Sequence, residues 1–148
     1  ANLLTSISTT DADFVVKLID VFPDTFSYAT PSLIAGMPAT TYPMGGYQML
    51  VRGEIMRGKF RNSFSVPQPF VPNTATSVKF ELPDVAHTFK KGHRLMIQIQ
   101  STWFPLADRN PQKFTDIYKA NASDFQKANI KIFNGSNGTY FTLPVLKN

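Results

Sequence analysis

The sequence predicts an all-β domain, a jelly-roll β-sandwich of about eight strands. Aromatic residues, which favour strands, make up 13% of the 148 residues. Eleven prolines and eight glycines supply turns at short intervals. Apolar and polar residues alternate along most of the chain, and no helical pattern recurs between these runs, which excludes a βαβ fold. The length allows one hydrophobic core without disulfides, so residues 1–148 are expected to form a single domain.

The predicted strands follow the runs of alternating or β-branched residues. The run DFVVKLIDV is apolar on both faces, so we expect it to form a central strand with a layer on each side. Gly53 and Gly58 are expected to introduce bulges or bends into a later strand. Prolines exclude a central strand from residues 66–73. The predicted strands are residues 3–8, 13–21, 48–60, 77–82, 95–102, 128–133 and 140–146.

Two connections stand out by their length. Residues 23–46 hold four prolines and three glycines and are predicted to be irregular. A connection this long inside a compact domain is often functional or docked on a partner. Residues 104–112 form a second loop. Residues 113–126 are mildly helical, with one turn expected near residues 115–119 or 123–127.

The net charge of +5 raises the question of a nucleic-acid partner. The densest basic cluster is Arg57, Lys59 and Arg61, whose alternate spacing places all three side chains on one face of a strand. We interpret them as a solvated outer face; a phosphate-binding stripe and a charged domain interface are the alternatives. No nucleic-acid motif is present, so no such partner is predicted. No run of 18 apolar residues predicts a membrane span, and the start does not resemble a signal peptide.

The sequence contains no recognisable catalytic constellation. The Gly-x-Ser-x-Gly string of α/β-type serine hydrolases is absent, and the sequence GSNG at residues 135–138 has the spacing of a turn. His87 and His93 are interpreted as half-solvated turn histidines. Asp11 and Asp13 are interpreted as turn caps, with calcium ligation and glycosidase chemistry as alternatives. We therefore predict no catalytic residue, no cofactor and no metal site in this chain.

Trp103 and Phe104 form the one aromatic pair that indicates binding. They follow a predicted strand directly and precede the loop PLADRNPQ. An exposed pair of this kind stacks on sugars in sandwich-type carbohydrate modules. The alternative is that Trp103 closes the end of the sandwich or packs on a neighbouring domain.

Three segments resemble one known family. They are residues 10–24 (TDADFVVKLIDVFPD), residues 46–61 (GYQMLVRGEIMRGKFR) and residues 87–112 (HTFKKGHRLMIQIQSTWFPLADRNPQ). In this order they resemble the C-terminal non-catalytic domain of X-Pro dipeptidyl-peptidase-like hydrolases. The resemblance implies a galactose-binding-like jelly roll that follows an α/β-hydrolase domain and a helical cap. It also implies that a Ser-Asp-His triad in the hydrolase domain cleaves esters or amides, and no position of this chain matches that triad.

The resemblance carries further expectations. The chain is expected to be the C-terminal part of a longer hydrolase, to pack on its other two domains, to shape the active-site surroundings and to support homo-oligomer contacts. A periplasmic or extracellular location follows from the resemblance alone. Family members enter this domain through an additional strand, so we expect an open sheet edge beside strand 3–8 or its neighbour. A carbohydrate-binding module is the alternative function.

We expect the surface toward the other domains to come from the connection 23–46 and the loop 103–112. Both contain large apolar side chains whose exposure would otherwise be unfavourable. The predicted interdomain residues are Phe26, Tyr28, Leu33, Ile34, Met37, Tyr42, Trp103, Phe104 and Arg109.

Overall fold

The regular structure is almost entirely β-strand, as predicted. The computed structural model describes residues 1–30 and 40–146. Short 3₁₀ turns at Gly58–Phe60, Ile117–Lys119 and Ala122–Asp124 are the helical elements of the described residues. The strands are β1 (Asn2–Ile7), β2 (Asp13–Val21), β3 (Ser27–Thr30), β4 (Thr40–Pro43), β5 (Gln48–Arg57), β6 (Thr76–Lys79), β7 (Arg94–Gln100) and β8 (Ile130–Ile132).

Six of these strands form two antiparallel three-stranded sheets, ordered β6-β1-β8 and β5-β2-β7. These are the sheets of a β-sandwich, which confirms the predicted fold class. Strand β2 is central, as its two apolar faces indicated. Strand β1 is central too, because Leu3 lies opposite Val78 of β6 and Ser6 lies opposite Lys131 of β8. An open edge at β1 itself is therefore excluded, and β6 and β8 take the outer positions.

Strands β3 and β4 form a separate antiparallel ribbon, with Tyr28 opposite Tyr42. The prediction of an irregular connection over residues 23–46 was wrong here. The segments SYAT and TTYP are rich in threonine and tyrosine, which favour extended pairing, and Pro43 lies at the end of β4. Residues 31–39 lie outside the described part of the chain.

Several predicted strands are shorter than expected, and the reason is visible in two of them. Strand β5 runs through Gly53 and ends at Arg57, because Gly58 begins a 3₁₀ turn. The predicted strand 140–146 is reduced to one bridge between Tyr140 and Asn2. Pro144 lacks the backbone donor that a continuing ladder needs.

The contacts divide the chain into two compact units. The first unit comprises residues 1–16, 54–82 and 99–148, and the second comprises residues 17–53 and 83–98. In the first, the rings of Phe14 and Phe70 lie 6.1 Å apart. Burying an apolar side chain of this size stabilises the fold by about 1.5–3 kcal/mol. The buried apolar side chains of this unit include Leu3, Ile7, Phe14, Val15, Val16, Met56, Phe70 and Val78.

The second unit has its own aromatic core. Phe22 is 5% exposed, and its ring lies 4.8 Å from the ring of Phe26 and 5.6 Å from that of Tyr47. Ile19 and Val21 of strand β2 are buried in the same unit. None of the helices in the described residues is long and apolar enough to cross a membrane.

Candidate functional site

A buried polar cluster lies beneath the loop formed by residues 103–112. We call Asp11, Asp13, Arg57, Lys59 and Asn110 the anchor cluster. The two carboxylates flank the start of strand β2 and are 0% and 2% exposed. A buried charge is tolerated only when it is paired and hydrogen-bonded, so the partners of these carboxylates explain the cluster.

Arg57 binds Asp13 through two nitrogen–oxygen contacts. Its Nε lies 3.1 Å from Oδ1 and its Nη2 lies 3.3 Å from Oδ2. The same Nη2 donates to the backbone carbonyl of Asp108 at 3.0 Å. This arginine therefore connects the end of β5 to both the start of β2 and the loop.

Asp11 accepts hydrogen bonds on both carboxylate oxygens. Its Oδ1 accepts from the backbone N–H groups of Ala12 and Lys59, each at 2.9 Å. Its Oδ2 accepts from Nδ2 of Asn110 at 3.2 Å. Burial raises the pKa of the Asp11 carboxyl; the hydrogen bond from Asn110 opposes this rise, and the nearby charge of Asp13 adds to it.

Asn110 fastens the loop to the two carboxylates. Its Nδ2 also donates to Asp13 Oδ1 at 2.8 Å, and its Oδ1 accepts from the backbone N–H of Gln112 at 2.8 Å. The next segment is held as well, since Lys59 Nζ donates to the carbonyl of Thr115 at 2.8 Å. The loop thus receives its conformation from side chains of the sandwich.

The basic residues do not form the solvated strand face that their spacing predicted. Lys59 and Arg61 follow the end of β5, so the alternation of a strand does not apply to them. Lys59 is only 8% exposed. The guanidinium of Arg61 lies 4.1 Å from the ring centre of Phe70 and donates to the carbonyl of Gln68. The charged groups of Lys59 and Arg61 contact carbonyl groups and the ring of Phe70 within the first unit. The structure therefore does not support a phosphate-binding stripe formed by these side chains.

The two aspartates were interpreted as turn caps, with calcium ligation and glycosidase chemistry as alternatives. Asp11 does bind backbone amides, but from a fully buried position. The oxygens of Asp13 are engaged by Arg57 and Asn110 rather than being available to a calcium ion. Among the described residues, no group of three acidic, histidine or cysteine ligands could hold a metal ion.

The loop presents an apolar surface above this anchor. We call Phe104, Leu106, Arg109 and Phe125 the aromatic patch. Phe104, Leu106 and Phe125 are 60%, 71% and 45% exposed. The guanidinium carbon of Arg109 lies 5.3 Å from the ring centre of Phe104 and 5.9 Å from that of Phe125. Trp103 is half-buried at the base of the same loop.

The predicted interdomain residues fall in different units. Trp103, Phe104 and Arg109 belong to the first unit. Phe26 belongs to the second, where it is half-buried and its ring packs against Phe22. Tyr28 and Tyr42 pair across the ribbon, while Leu33, Ile34 and Met37 lie outside the described residues.

Both histidines bind Asp20 in the second unit. The side chain of His87 is 20% exposed, and His93 closes a turn because its backbone N–H donates to the carbonyl of Lys90. Only the half-solvation predicted for the ring of His93 is wrong. Nε2 of His87 lies 2.9 Å from Asp20 Oδ2, and Nδ1 of His93 lies 2.8 Å from Oδ1. The side chain of His93 is only 4% exposed, and its ring lies 4.7 Å from that of Phe22. Among the described residues, the side-chain hydrogen bonds of both rings go to this one carboxylate. Within that part of the chain, neither ring is hydrogen-bonded to a serine, threonine or cysteine side chain that it could activate as a nucleophile.

The environment of Asp20 favours its charged form. Burial by itself raises the pKa of the carboxyl. The hydrogen bonds and positive charge of His87 and His93 lower the pKa, and together they outweigh the effect of burial. The net pKa lies below its ordinary value of 3.8. This arrangement joins strand β2 to the turn before β7 and is a structural one.

Sequence reasoning missed Asn110, Asp20, Leu106 and Phe125. Asp20 did carry a signal: it is an acidic residue in a strand of otherwise mostly apolar residues, and such a residue must find a partner when buried. Two histidines later in the chain were the available candidates. Asn110 carried no comparable signal, because asparagine in a loop rich in turn formers is ordinary.

Comparisons with known proteins agree with this architecture. The profile of the X-Pro dipeptidyl-peptidase C-terminal non-catalytic domain matches residues 1–141. Cocaine esterase from Rhodococcus sp. (strain MB1 Bresler) is 26% identical over 148 residues, which is 99% of this chain and 22% of the esterase.

Solved structures give the same answer. An α-amino acid ester hydrolase labelled with selenomethionine matches with a TM-score of 0.75 and 43% identity, over 89% of this chain and 20% of that chain. An aminopeptidase from a marine sediment archaeon, Thaumarchaeota archaeon, matches with a TM-score of 0.76 and 42% identity, over 90% of this chain and 20% of its own. The chain therefore spans about a fifth of the length of these relatives. It belongs to the family of X-Pro dipeptidyl-peptidase C-terminal non-catalytic domains.

Proposed function

We propose that this chain is the C-terminal domain of a longer serine hydrolase that cleaves esters or amides. In this proposal it packs on the α/β-hydrolase and cap domains and shapes the surroundings of their active site. The observation that carries the proposal is the aromatic patch, an apolar surface held in a fixed conformation by the anchor cluster.

The exposure of the patch supports docking on another protein surface. Phe104 and Leu106 lie two positions apart in the loop, and both are more than half exposed. Contiguous exposed apolar residues mark interaction surfaces more often than scattered ones do. Removing each of these side chains from water would contribute about 1–2 kcal/mol, since part of its surface is already covered.

The anchoring of the loop supports the same conclusion. Binding is weakened when loops must be ordered at the moment of association. Here Asn110 and Arg57 already fix the backbone of the loop from below. The entropic cost of ordering is therefore met during folding, as suits a permanent interface within one polypeptide.

Sugar binding by this patch is the weaker candidate. A sugar ring stacks on an open aromatic face, whereas the guanidinium of Arg109 lies over the ring of Phe104. Trp103, the other ring considered for stacking, is half-buried. The same patch is well suited to a protein interface, where arginine and aromatic side chains are enriched.

Hydrogen exchange of the complete polypeptide and of the 148-residue chain tests the docking. We expect the backbone amides of residues 103–107 to exchange more slowly in the complete polypeptide, because the catalytic domain covers them. The polar turn at residues 135–138 is the control and should exchange equally in both. Equal exchange of residues 103–107 in both proteins would contradict the proposal.

A fluorophosphonate probe tests the serine hydrolase part. The complete polypeptide should be labelled once, at a serine preceding these 148 residues, in a Gly-x-Ser-x-Gly sequence. The 148-residue chain should remain unlabelled and should not turn over a p-nitrophenyl ester. Labelling within residues 1–148, or inhibitor-sensitive turnover by this chain, would refute the assignment.

A further inference from the structure

Arg109 is the cation of the aromatic patch. It is exposed, and its guanidinium lies within 6 Å of two ring centres, 5.3 Å from Phe104 and 5.9 Å from Phe125. Cation–π contacts at these distances hold the guanidinium over the rings. Its guanidinium thus lies near one ring of the loop and near the ring of Phe125.

The charge of Arg109 is not paired within the described part of the chain. Arg57 pairs with Asp13, and Lys113 of the following segment pairs with Asp124 at 2.8 Å, but none of the ion pairs among the described residues includes Arg109. The neighbouring Asp108 is held through its backbone carbonyl. A guanidinium has five N–H donors, so Arg109 presents unused donors at the surface.

We propose that Arg109 binds a carboxylate side chain of the catalytic domain when the aromatic patch docks. This inference rests on the proposed function and adds the chemistry of the partner. The planar fork of a guanidinium matches the two oxygens of a carboxylate, and such bidentate pairs are among the stronger hydrogen bonds. Phe104 and Leu106 would exclude water around the pair, which strengthens its electrostatic attraction.

The length of the relatives and the net charge of this chain indicate that the catalytic domain covers the aromatic patch. Solved relatives are about four and a half times as long as this chain, since 89% or 90% of it covers 20% of each. Most of the polypeptide that could cover the patch therefore lies outside these 148 residues. The chain carries a net charge of +5, which complements an acidic group on the opposing surface. Arginine with aromatic neighbours is also the composition of interface hot spots.

Zero-length crosslinking of the complete polypeptide tests the pair. Arg109→Lys places an amine at position 109, and a carbodiimide joins an amine to a carboxylate only when the two are in contact. Arg94→Lys is the matched control, because Arg94 is an exposed arginine at the start of β7 outside the patch. Peptide mass spectrometry then identifies the partner of each position.

We expect a crosslink from position 109 to an aspartate or glutamate that precedes this chain, and no such crosslink from position 94. A crosslink from position 109 only to carboxylates within residues 1–148, or an equal yield from position 94, would overturn the inference. So would the absence of any crosslink from position 109.

A second variant measures the contribution of the pair without crosslinking. In the complete polypeptide, Arg109→Gln should accelerate amide exchange of residues 103–107 by roughly tenfold or more, because one buried charge loses its partner. Arg94→Gln should leave it unchanged. If residues 103–107 are protected in the wild type but insensitive to Arg109→Gln, docking stands and the carboxylate pair is refuted. If they are unprotected in the wild type, the proposed function fails first.

Discussion

Truncation of Asn110 to alanine should release the loop that carries the aromatic patch. Asn110 is 7% exposed and makes three hydrogen bonds. Two go to the carboxylates of Asp11 and Asp13, at 3.2 and 2.8 Å, and one comes from the backbone of Gln112 at 2.8 Å. No other side chain of the described residues is hydrogen-bonded to both carboxylates.

The magnitude follows from these bonds. A hydrogen bond to a charged group contributes about 1.5–3 kcal/mol and a neutral one about 0.5–1.5 kcal/mol. The three together give roughly 3.5–7.5 kcal/mol, and water entering the space left by the amide offsets part of this. We expect Asn110→Ala to lower the free energy of unfolding by about 3 kcal/mol.

Urea unfolding of the 148-residue chain measures this loss, and hydrogen exchange locates it. Asn62→Ala is the matched control, because it removes the same atoms from an exposed asparagine whose amide binds only Gln68, at 2.8 Å. Surface changes of this kind usually shift stability by no more than about 0.5 kcal/mol. Exchange should accelerate first in residues 103–112. If Asn110→Ala costs no more than Asn62→Ala, the loop is not held by the anchor cluster and the argument for a preformed docking surface fails.

Three further changes test separate parts of the structure. Gly58→Ala should destabilise the chain by about 3 kcal/mol in urea unfolding, because the new Cβ would stand 2.6 Å from the carbonyl oxygen of Ala12 and from the ring of Phe70; a loss below about 1 kcal/mol would contradict this. The pKa of Asp20 is below 3.8 in the fold, so its contribution is complete above pH 3.8 and is lost as the pH falls through the lowered value. Asp20→Asn should therefore cost stability at neutral pH and make unfolding less sensitive to acid, and an equal acid dependence in both proteins would refute the assignment. Asp11 changes the stability with pH in the opposite direction. Its pKa is raised above 3.8, so ionisation of this carboxyl weakens the fold as the pH rises from 3.8 through the raised value. The stability of Asp11→Asn relative to wild type should increase over that same pH interval, and a constant difference would show that burial does not perturb this carboxyl.

The strands were predictable because their signal is local. Strand β2 is a nearly continuous apolar run, and β7 lies in a run where apolar and polar residues alternate along the sequence. Both patterns can be read without knowing the partner strand. The ribbon of β3 and β4 was missed because four prolines and three glycines in residues 23–46 suggested irregular backbone. The strands themselves are only four residues each and fit between those turn formers.

The polar contacts were not predictable in the same way, because they join residues far apart in sequence. Asp20 and His93 are separated by 73 positions and Asp11 and Asn110 by 99. Nothing in the local pattern around His93, in the basic turn KKGHR, shows that its ring is buried. The periodicity of a strand predicts which side chains share a face of the sheet. It does not predict which distant loop packs on that face.

The anchor cluster holds the loop that carries the proposed docking surface. Its buried carboxylates contribute little net stability, because removing charge from water offsets most of what pairing provides. Asp13 binds Arg57, and Arg57 in turn donates to the loop backbone at Asp108. A purely apolar core would lack the hydrogen bonds that Arg57 and the two carboxylates make to the loop. The Asn110→Ala and Arg109→Lys experiments separate the proposed docking geometry from the stability of the sandwich.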